Sequence, residues 1–336
     1  MNTRYCRPFP VLIAGCLIAL PGTKTFAAPT GALEKGFITP PDSAKPHTWW
    51  HWMNGNVTRA GITADLEAMK RAGIGGAQLF NVSENIPAGK ALFMTPEWKA
   101  MVKFAAEEAN RLGIELCMHN CAGWSSSGGP WNTPANSMQV ITTSETKVSG
   151  PTSFDANLPR PNANRDYYGD ITVLAFPTPG TDFRIGNIRQ KAAFERGDNL
   201  EPAQGPDAPA TGKIDSKTIV NLTTRLQDGK LTWDVPAGDW TILRIGHTTT
   251  GVTNHPASPE GTGLEVDKLS KSALDAHWNG MMQPVIDEIG SLAGKSLNNA
   301  LIDSYEVGNQ NWTPGFAAEF QKRCGYNMTP YFPVFT

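Results

Sequence analysis

The chain turns on Leu301-Ile302-Asp303-Ser304-Tyr305-Glu306-Val307-Gly308-Asn309-Gln310-Asn311-Trp312. A short apolar run, Ala300 to Ile302, leads into two carboxylates, an aromatic ring, amides and a tryptophan. Short apolar runs read as buried strands. In a (β/α) barrel the reactive groups collect where strands end and βα loops begin. Asp303 and Glu306 stand three positions apart, so one loop past the strand can carry both.

Upstream, strands and helices alternate. His47-Thr48-Trp49-Trp50-His51-Trp52-Met53 reads as an aromatic strand, stopped by the turn cluster Asn54-Gly55-Asn56. A helix follows, capped by Thr58 or Thr63 and closed by Gly73, with Ile62, Leu66 and Met69 on one face. Residues 75–82 form a second strand. Thr95-Pro96-Glu97 is a strong helix start, because it combines a cap, a proline at the first position and an acid in the first turn. That helix buries Trp98, Met101, Val102, Ala105, Ala109 and Leu112, and Gly113 ends it. Residues 114–119 give a third strand, which runs into the polar loop 120–129. Strand, helix, strand, helix, strand with short links predicts parallel βαβ units.

From 138 to 258 the helical period disappears. Alternating runs at 171–176, 218–226, 231–235 and 240–246 predict an inserted antiparallel β-domain of sandwich type, with Asp228-Gly229 as a hairpin turn. The α/β pattern returns at 259. A helix over 271–289 presents Leu274, Trp278, Met281, Met282 and Val285 as its apolar side, the opening stretch supplies a fourth strand, and Thr313-Pro314 starts a further helix. The fold expected is α/β: the first half of a (β/α)8 barrel, interrupted by the β-domain. Its divisions are a signal peptide at 1–27, a linker at 28–46, barrel segments at 47–137 and 259–336, and the insert at 138–258. Four strands of eight make the chain read as the N-terminal part of a longer protein.

Composition narrows the function. The chain has 336 residues, 40% hydrophobic and 18% charged, which suffices for a packed core. A net charge of −2 without a basic patch excludes nucleic-acid binding as the leading class. Arg4 and Arg7, the apolar run 11–20 and Thr25-Phe26-Ala27 form an export signal. The mature chain is expected to be periplasmic or secreted, with no membrane span. Cys6 and Cys16 leave with the signal; Cys117, Cys121 and Cys324 remain, an odd number that supports one disulfide at most. Cys117, His119 and Cys121 share one strand face, but no second Cys/His pair follows at zinc-ligand spacing. Gly294-Lys295-Ser296 lacks the spacing of a phosphate loop.

Two carboxylates at a strand end would be unremarkable alone. Their combination with Tyr305, Trp312 and ten tryptophans in all suits sugar hydrolysis, in which acids serve the glycosidic oxygen or water and flat rings serve the sugar face. Solvated acids at an ordinary strand end are the plainer alternative.

Several stretches together resemble glycoside hydrolase family 106, the α-L-rhamnosidases. They are Trp49-Trp50-His51-Trp52-Met53-Asn54-Gly55-Asn56-Val57-Thr58, the stretch 65–76, Met118-His119-Asn120-Cys121-Ala122-Gly123-Trp124 with Ser125 to Trp131, and Asp303 to Glu306 with Gln310-Asn311-Trp312-Thr313. The resemblance implies an inverting, exo-acting, calcium-dependent hydrolase. It would release terminal α-L-rhamnose from plant glycosides or pectic oligosaccharides, on a barrel with β-sandwich modules. Glu306 is then the candidate acid, and Asp303 is either its catalytic partner or a hydrogen-bonding neighbour. Trp52, Asn54, His119, Asn120, Trp124, Asn311 and Trp312 would line the sugar pocket, although His119 reads equally as a satisfied buried histidine. Glu265 and Asp267 would bind rhamnose hydroxyls or calcium, or stand solvated at a helix start. The remaining catalytic carboxylate belongs on a later strand, so this chain alone is expected to turn over poorly. Other readings are a β-galactosidase-like barrel enzyme and a carbohydrate-binding protein without turnover.

Overall fold

The computed structural model describes residues 30–194 and 205–336. The expected signal peptide lies outside them. The chain divides into a unit over 1–44 and a unit over 45–336. In the first, helix α1 (Thr30–Ile38) occupies much of the stretch expected as a linker.

The second unit holds a parallel and an antiparallel sheet. The parallel sheet has the order β1 (His47–Met53), β2 (Gly76–Val82), β3 (Glu115–Ala122), β9 (Leu297–Leu301). Between its first three strands run α2 (Arg59–Arg71) and α3 (Pro96–Leu112). The local signals act as anticipated. Thr58 Oγ1 accepts the Gly61 N–H at 3.1 Å and Thr95 Oγ1 accepts the Trp98 N–H at 3.3 Å, each satisfying an otherwise orphaned donor. Gly113 ends α3 at φ 63°, a left-handed conformation that a β-carbon disfavours.

Alternation along the strands gives the sheet two unlike faces. Trp50, Trp52, Leu79 and Met118 pack into one core with Ile62 and Leu66 of α2 and Trp98 and Val102 of α3. Full burial of Ile62 and Leu66 contributes about 1.5–3 kcal/mol each. The opposite face carries Trp49, His51, Phe80 and His119. Trp49 is 61% exposed there, and the His119 ring stacks on Phe80 at 4.8 Å.

Strand β9 departs from expectation. The apolar run around Ala300 is not buried: Asn298, Asn299 and Ala300 are exposed, and so is Ile302. The strand is a sheet edge among the described residues, with β3 as its one ladder partner. The helix expected over 271–289 is two helices, α5 (Lys271–Gly280) and α6 (Met282–Ile289). The break falls where Gly280 lies against the Trp131 ring, which would collide with any β-carbon added there. On α5 Leu274 and Trp278 face outward, and Ala273 and His277 are buried instead.

Between β3 and β9 in sequence lies the antiparallel sheet. It comprises β4 (Gln139–Asn157), β5 (Gly169–Pro177), β6 (Val220–Asn221), β7 (Leu226–Gln227) and β8 (Lys230–Thr249), in the order β4-β8-β5-β6 with β7 against β8. One turn of helix, α4 (Ile188–Lys191), lies in the same region. Asp228 and Gly229 take positive φ and join β7 to β8, the conformation a two-residue hairpin demands. Among the described residues these strands form one hydrogen-bonded sheet. Its Leu174, Leu243 and Ile245 are covered by Trp312, by Phe316 and Phe320 of α7 (Phe316–Cys324), and by Phe332, while Leu231, Trp233 and Val235 pack with Val173, Ala175 and Ile242 in a separate core. The short runs at 231–235 and 240–246 belong to one strand, β8. Its partner β4 is rich in Ser and Thr and crosses Gly150 and Pro151 through a register shift, so it offers little apolar alternation to read.

Candidate active site at the carboxyl end of the parallel sheet

The carboxyl ends of β1, β2, β3 and β9 deliver Asn54, Asn81, the loop 120–129 and the segment 302–313. The last carries the two candidate carboxylates. Three bonds seat its first half. The Asp303 N–H donates to His119 Nε2 at 3.3 Å, the Ser304 N–H to the Trp124 carbonyl at 3.1 Å, and the Glu306 N–H to the Ser125 carbonyl at 3.4 Å. The second half is held by Asp267. Its Oδ1 accepts Gln310 Nε2 at 2.7 Å and its Oδ2 accepts Thr313 Oγ1 at 2.6 Å, while Gln310 Oε1 accepts the Lys268 N–H at 3.0 Å. Between these anchors Glu306 is exposed, with no side-chain hydrogen bond among the described residues, and Tyr305 is 50% exposed beside it. Asp303 is half-buried and accepts Ser304 Oγ at 3.2 Å.

The other expected site residues divide by burial. Trp124 is half-buried, 6.3 Å from the His51 ring. Asn54, also half-buried, takes φ 47° and donates from Nδ2 to the Ile86 carbonyl at 2.6 Å. Trp52 is 3% exposed in the helix-side core, and its indole N–H has no partner among the described residues. His119 is fully buried and burial holds its pKa below the ordinary histidine value. Asn120 is buried and donates to Ser127 Oγ at 2.9 Å. Trp312 packs in the core beneath the antiparallel sheet, and Asn311 bridges the Ile141 N–H and the Ala192 carbonyl at 2.8 Å each. Glu265, fully buried, accepts Ser125 Oγ at 3.2 Å, the Ser127 N–H at 2.9 Å and Lys268 Nζ at 2.9 Å. Asp267 also accepts the Leu269 N–H at 2.9 Å. The oxygens of these two acids are therefore taken up by donors of the protein. A calcium ion bound through them would have to displace those donors, and they do not fit as its ligand set.

Among the described residues Cys117, Cys121 and Cys324 are free thiols. Cys121 is fully buried, which pushes its thiol up to about 12, and its Sγ lies 3.5 Å from the Ser126 carbonyl. No group of three or more His, Cys, Asp or Glu side chains able to hold a metal ion occurs among the described residues.

Several residues of this network had no sequence signal. Lys268 pairs with Glu265 and lies 5.3 Å over the Tyr305 ring. Ser125 and Ser127, which bear on Glu265, lie in the loop that carries the family resemblance, but their hydrogen bonds to a residue 140 and 138 positions away had no signal in sequence. His277, on α5, is the least legible. Trp131 Nε1 can only donate, and it donates to His277 Nδ1 at 2.9 Å; His277 Nε2 then donates to the Asn120 carbonyl at 2.9 Å. The ring is neutral and ties α5 to the loop after β3. Burial lowers its pKa to about 4.

The glycoside hydrolase family 106 model, described as alpha-L-rhamnosidase, matches residues 38–177 and 163–336. A Formosa agariphila protein bearing the name "Putative beta-glucuronidase" is 48% identical over 303 residues, which cover 90% of this chain and 26% of that protein. The solved structure of a rhamnosidase from Novosphingobium sp. PP1Y superposes with a TM-score of 0.80 at 28% identity, covering 90% of this chain and 42% of that one. The chain thus spans under half the length of either relative. With the family model matched from residue 38 to residue 336, this chain belongs to glycoside hydrolase family 106.

Proposed function

We propose that this protein is an exo-acting glycoside hydrolase that releases terminal α-L-rhamnose from plant glycosides or pectic oligosaccharides with inversion. The observation that carries the reading is the solvent-facing Glu306 carboxylate, held on a segment fixed at both ends, at the carboxyl edge of a parallel sheet. Family membership and the likeness to a rhamnosidase support the chemistry and the sugar. They also support reading the parallel sheet as part of a (β/α)8 barrel.

Inversion uses two carboxyl groups about 6.5–9.5 Å apart, with a water between base and sugar. Glu306 is the proposed acid, protonating the departing glycosidic oxygen. Asp303, three residues earlier, is its carboxylate neighbour on the segment. Trp124 and Tyr305 offer aromatic faces to the sugar ring. Export through residues 1–27 would place the enzyme where plant polysaccharide is met. No step is assigned to calcium, since Glu265 and Asp267 are already engaged.

The name of the Formosa relative favours a second reading of the substrate, a β-linked uronic acid. The test is to incubate the purified chain with aryl α-L-rhamnoside and aryl β-D-glucuronide in parallel, following the anomeric proton of the released sugar by NMR. Release of rhamnose as the opposite anomer supports the proposal. Release of glucuronate alone transfers the site to the second reading. No turnover of either sugar, with no saturation-transfer signal from rhamnose, overturns it.

A further inference from the structure

We propose that His119 is a positioning residue that fixes where the segment bearing Asp303 and Glu306 leaves the sheet, rather than a residue that touches sugar. This inference rests on the reading of Glu306 given above.

The ring's chemistry follows from its partners. His119 Nδ1 lies 3.1 Å from the Cys121 carbonyl oxygen, which can only accept. Nδ1 must therefore carry the proton. His119 Nε2 lies 3.3 Å from the Asp303 backbone nitrogen, whose N–H can only donate. Nε2 must therefore be bare. The geometry assigns a neutral ring with its proton on Nδ1, and both nitrogens are occupied.

Its placement gives that bond leverage. His119 is paired with Leu301, the last residue of β9, so its ring reaches just past the strand end. The ring is fully buried and lies nearly flat on Phe80, at 4.8 Å and 19°. A buried ring with both nitrogens used has nothing to offer a sugar hydroxyl. Among the described residues β9 has β3 as its one ladder partner, so the His119 strand is the neighbour that bears on where the segment leaves. Of the three bonds that seat 303–306, the first is the one made by a side chain; the other two end on carbonyls of the loop after β3. A shift at Asp303 would be passed to Glu306 three residues on, and small misplacements of a catalytic group are costly.

Two substitutions separate this role from simple packing. His119→Phe keeps the flat ring against Phe80 but has no acceptor for the Asp303 N–H. His119→Gln gives up the ring but can place an oxygen near the position of Nε2. Hydrogen exchange of the Asp303 amide is the primary readout, and it needs no turnover. The expected result is about tenfold faster exchange in His119→Phe and near-native protection in His119→Gln. Where rhamnoside is hydrolysed, kcat should fall about tenfold in His119→Phe with KM unchanged, and recover in His119→Gln.

The opposite order, with the Phe variant native-like and the Gln variant impaired, would show that only stacking matters and would overturn the proposal. Long-range 1H–15N spectra of the unmutated protein provide a test that needs no variant: a proton on Nε2 instead of Nδ1 overturns it, even if both variants fail to fold. A protein that shows the expected exchange pattern but neither hydrolyses rhamnoside nor gives a saturation-transfer signal from rhamnose would count against the function proposed for Glu306, not against the role of His119.

Discussion

Asp267 Oδ1 and Gln310 Nε2 stand 2.7 Å apart, joining the segment before α5 to the segment after β9. The carboxylate is 1% exposed and also accepts Thr313 Oγ1 and the Leu269 N–H, so one buried acid organises two loops at the sheet's carboxyl end. Removing Gln310 leaves Asp267 with two partners and the Lys268 N–H without its acceptor. Gln310→Ala should cost about 1–3 kcal/mol in urea denaturation, with faster amide exchange over 303–313.

Glu265 and Lys268 form the second buried clamp, 2.9 Å apart with Glu265 fully buried. Lys268→Met leaves the Glu265 carboxylate with only Ser125 Oγ and the Ser127 N–H as partners and should cost about 3 kcal/mol, since breaking one side of a buried pair leaves an uncompensated charge. Lys268→Met combined with Glu265→Gln should be less destabilised than the sum of the two single variants. Strict additivity in the double-mutant cycle would refute the pairing.

Glu306 lies in neither clamp. Glu306→Gln should change stability by less than about 0.5 kcal/mol. The same change should lower kcat about 10²–10⁴-fold wherever rhamnoside is hydrolysed, as loss of a general acid does. A variant that is fully active would remove Glu306 from the mechanism.

His277 links stability to pH. Its pKa is about 4 in the folded chain against an ordinary histidine value of 6.5, because burial disfavours the charged ring; nearby Lys268 and His119 act in the same direction, and the Asn120 carbonyl opposes them. Above about pH 6.5 the ring is neutral in the folded and the unfolded chain alike, and its titration does not bear on stability. As pH falls from about 6.5 to about 4 the unfolded chain takes up a proton that the folded chain refuses, and stability drops by about 3 kcal/mol. Chemical denaturation over that range should show this loss, and His277→Gln should flatten it.

Helix α5 offers a contrast with α2. Leu274 is 46% exposed, so Leu274→Ala should change stability by less than about 0.5 kcal/mol. Leu66 of α2 is fully buried, and Leu66→Ala should cost about 2–5 kcal/mol through lost transfer energy and the cavity left behind. Equal costs, read from thermal and urea unfolding, would contradict the outward placement of Leu274 on α5.

By itself the sequence determined the parallel βαβ frame. Thr58, Thr95 and Gly113 act within one helical turn of their own positions, and the Ile62/Leu66 and Trp98/Val102 spacings define one face each, so these signals need no distant partner. It also placed Asp303 and Glu306 just past the end of a strand. Tertiary structure alone decided which of the remaining polar residues face solvent. Glu265, Asp267, Asn120 and His119 are polar letters in loops or strand ends, and only contacts over 100 residues or more for Ser125–Glu265 and His119–Asp303, or some forty for Asp267–Gln310, show them turned inward and paired. The same holds for β4, whose Ser and Thr side chains hide a strand until β8 supplies its hydrogen bonds. A buried polar group is stable only if its partner arrives with the fold, and that partner is invisible to any reading confined to neighbouring positions.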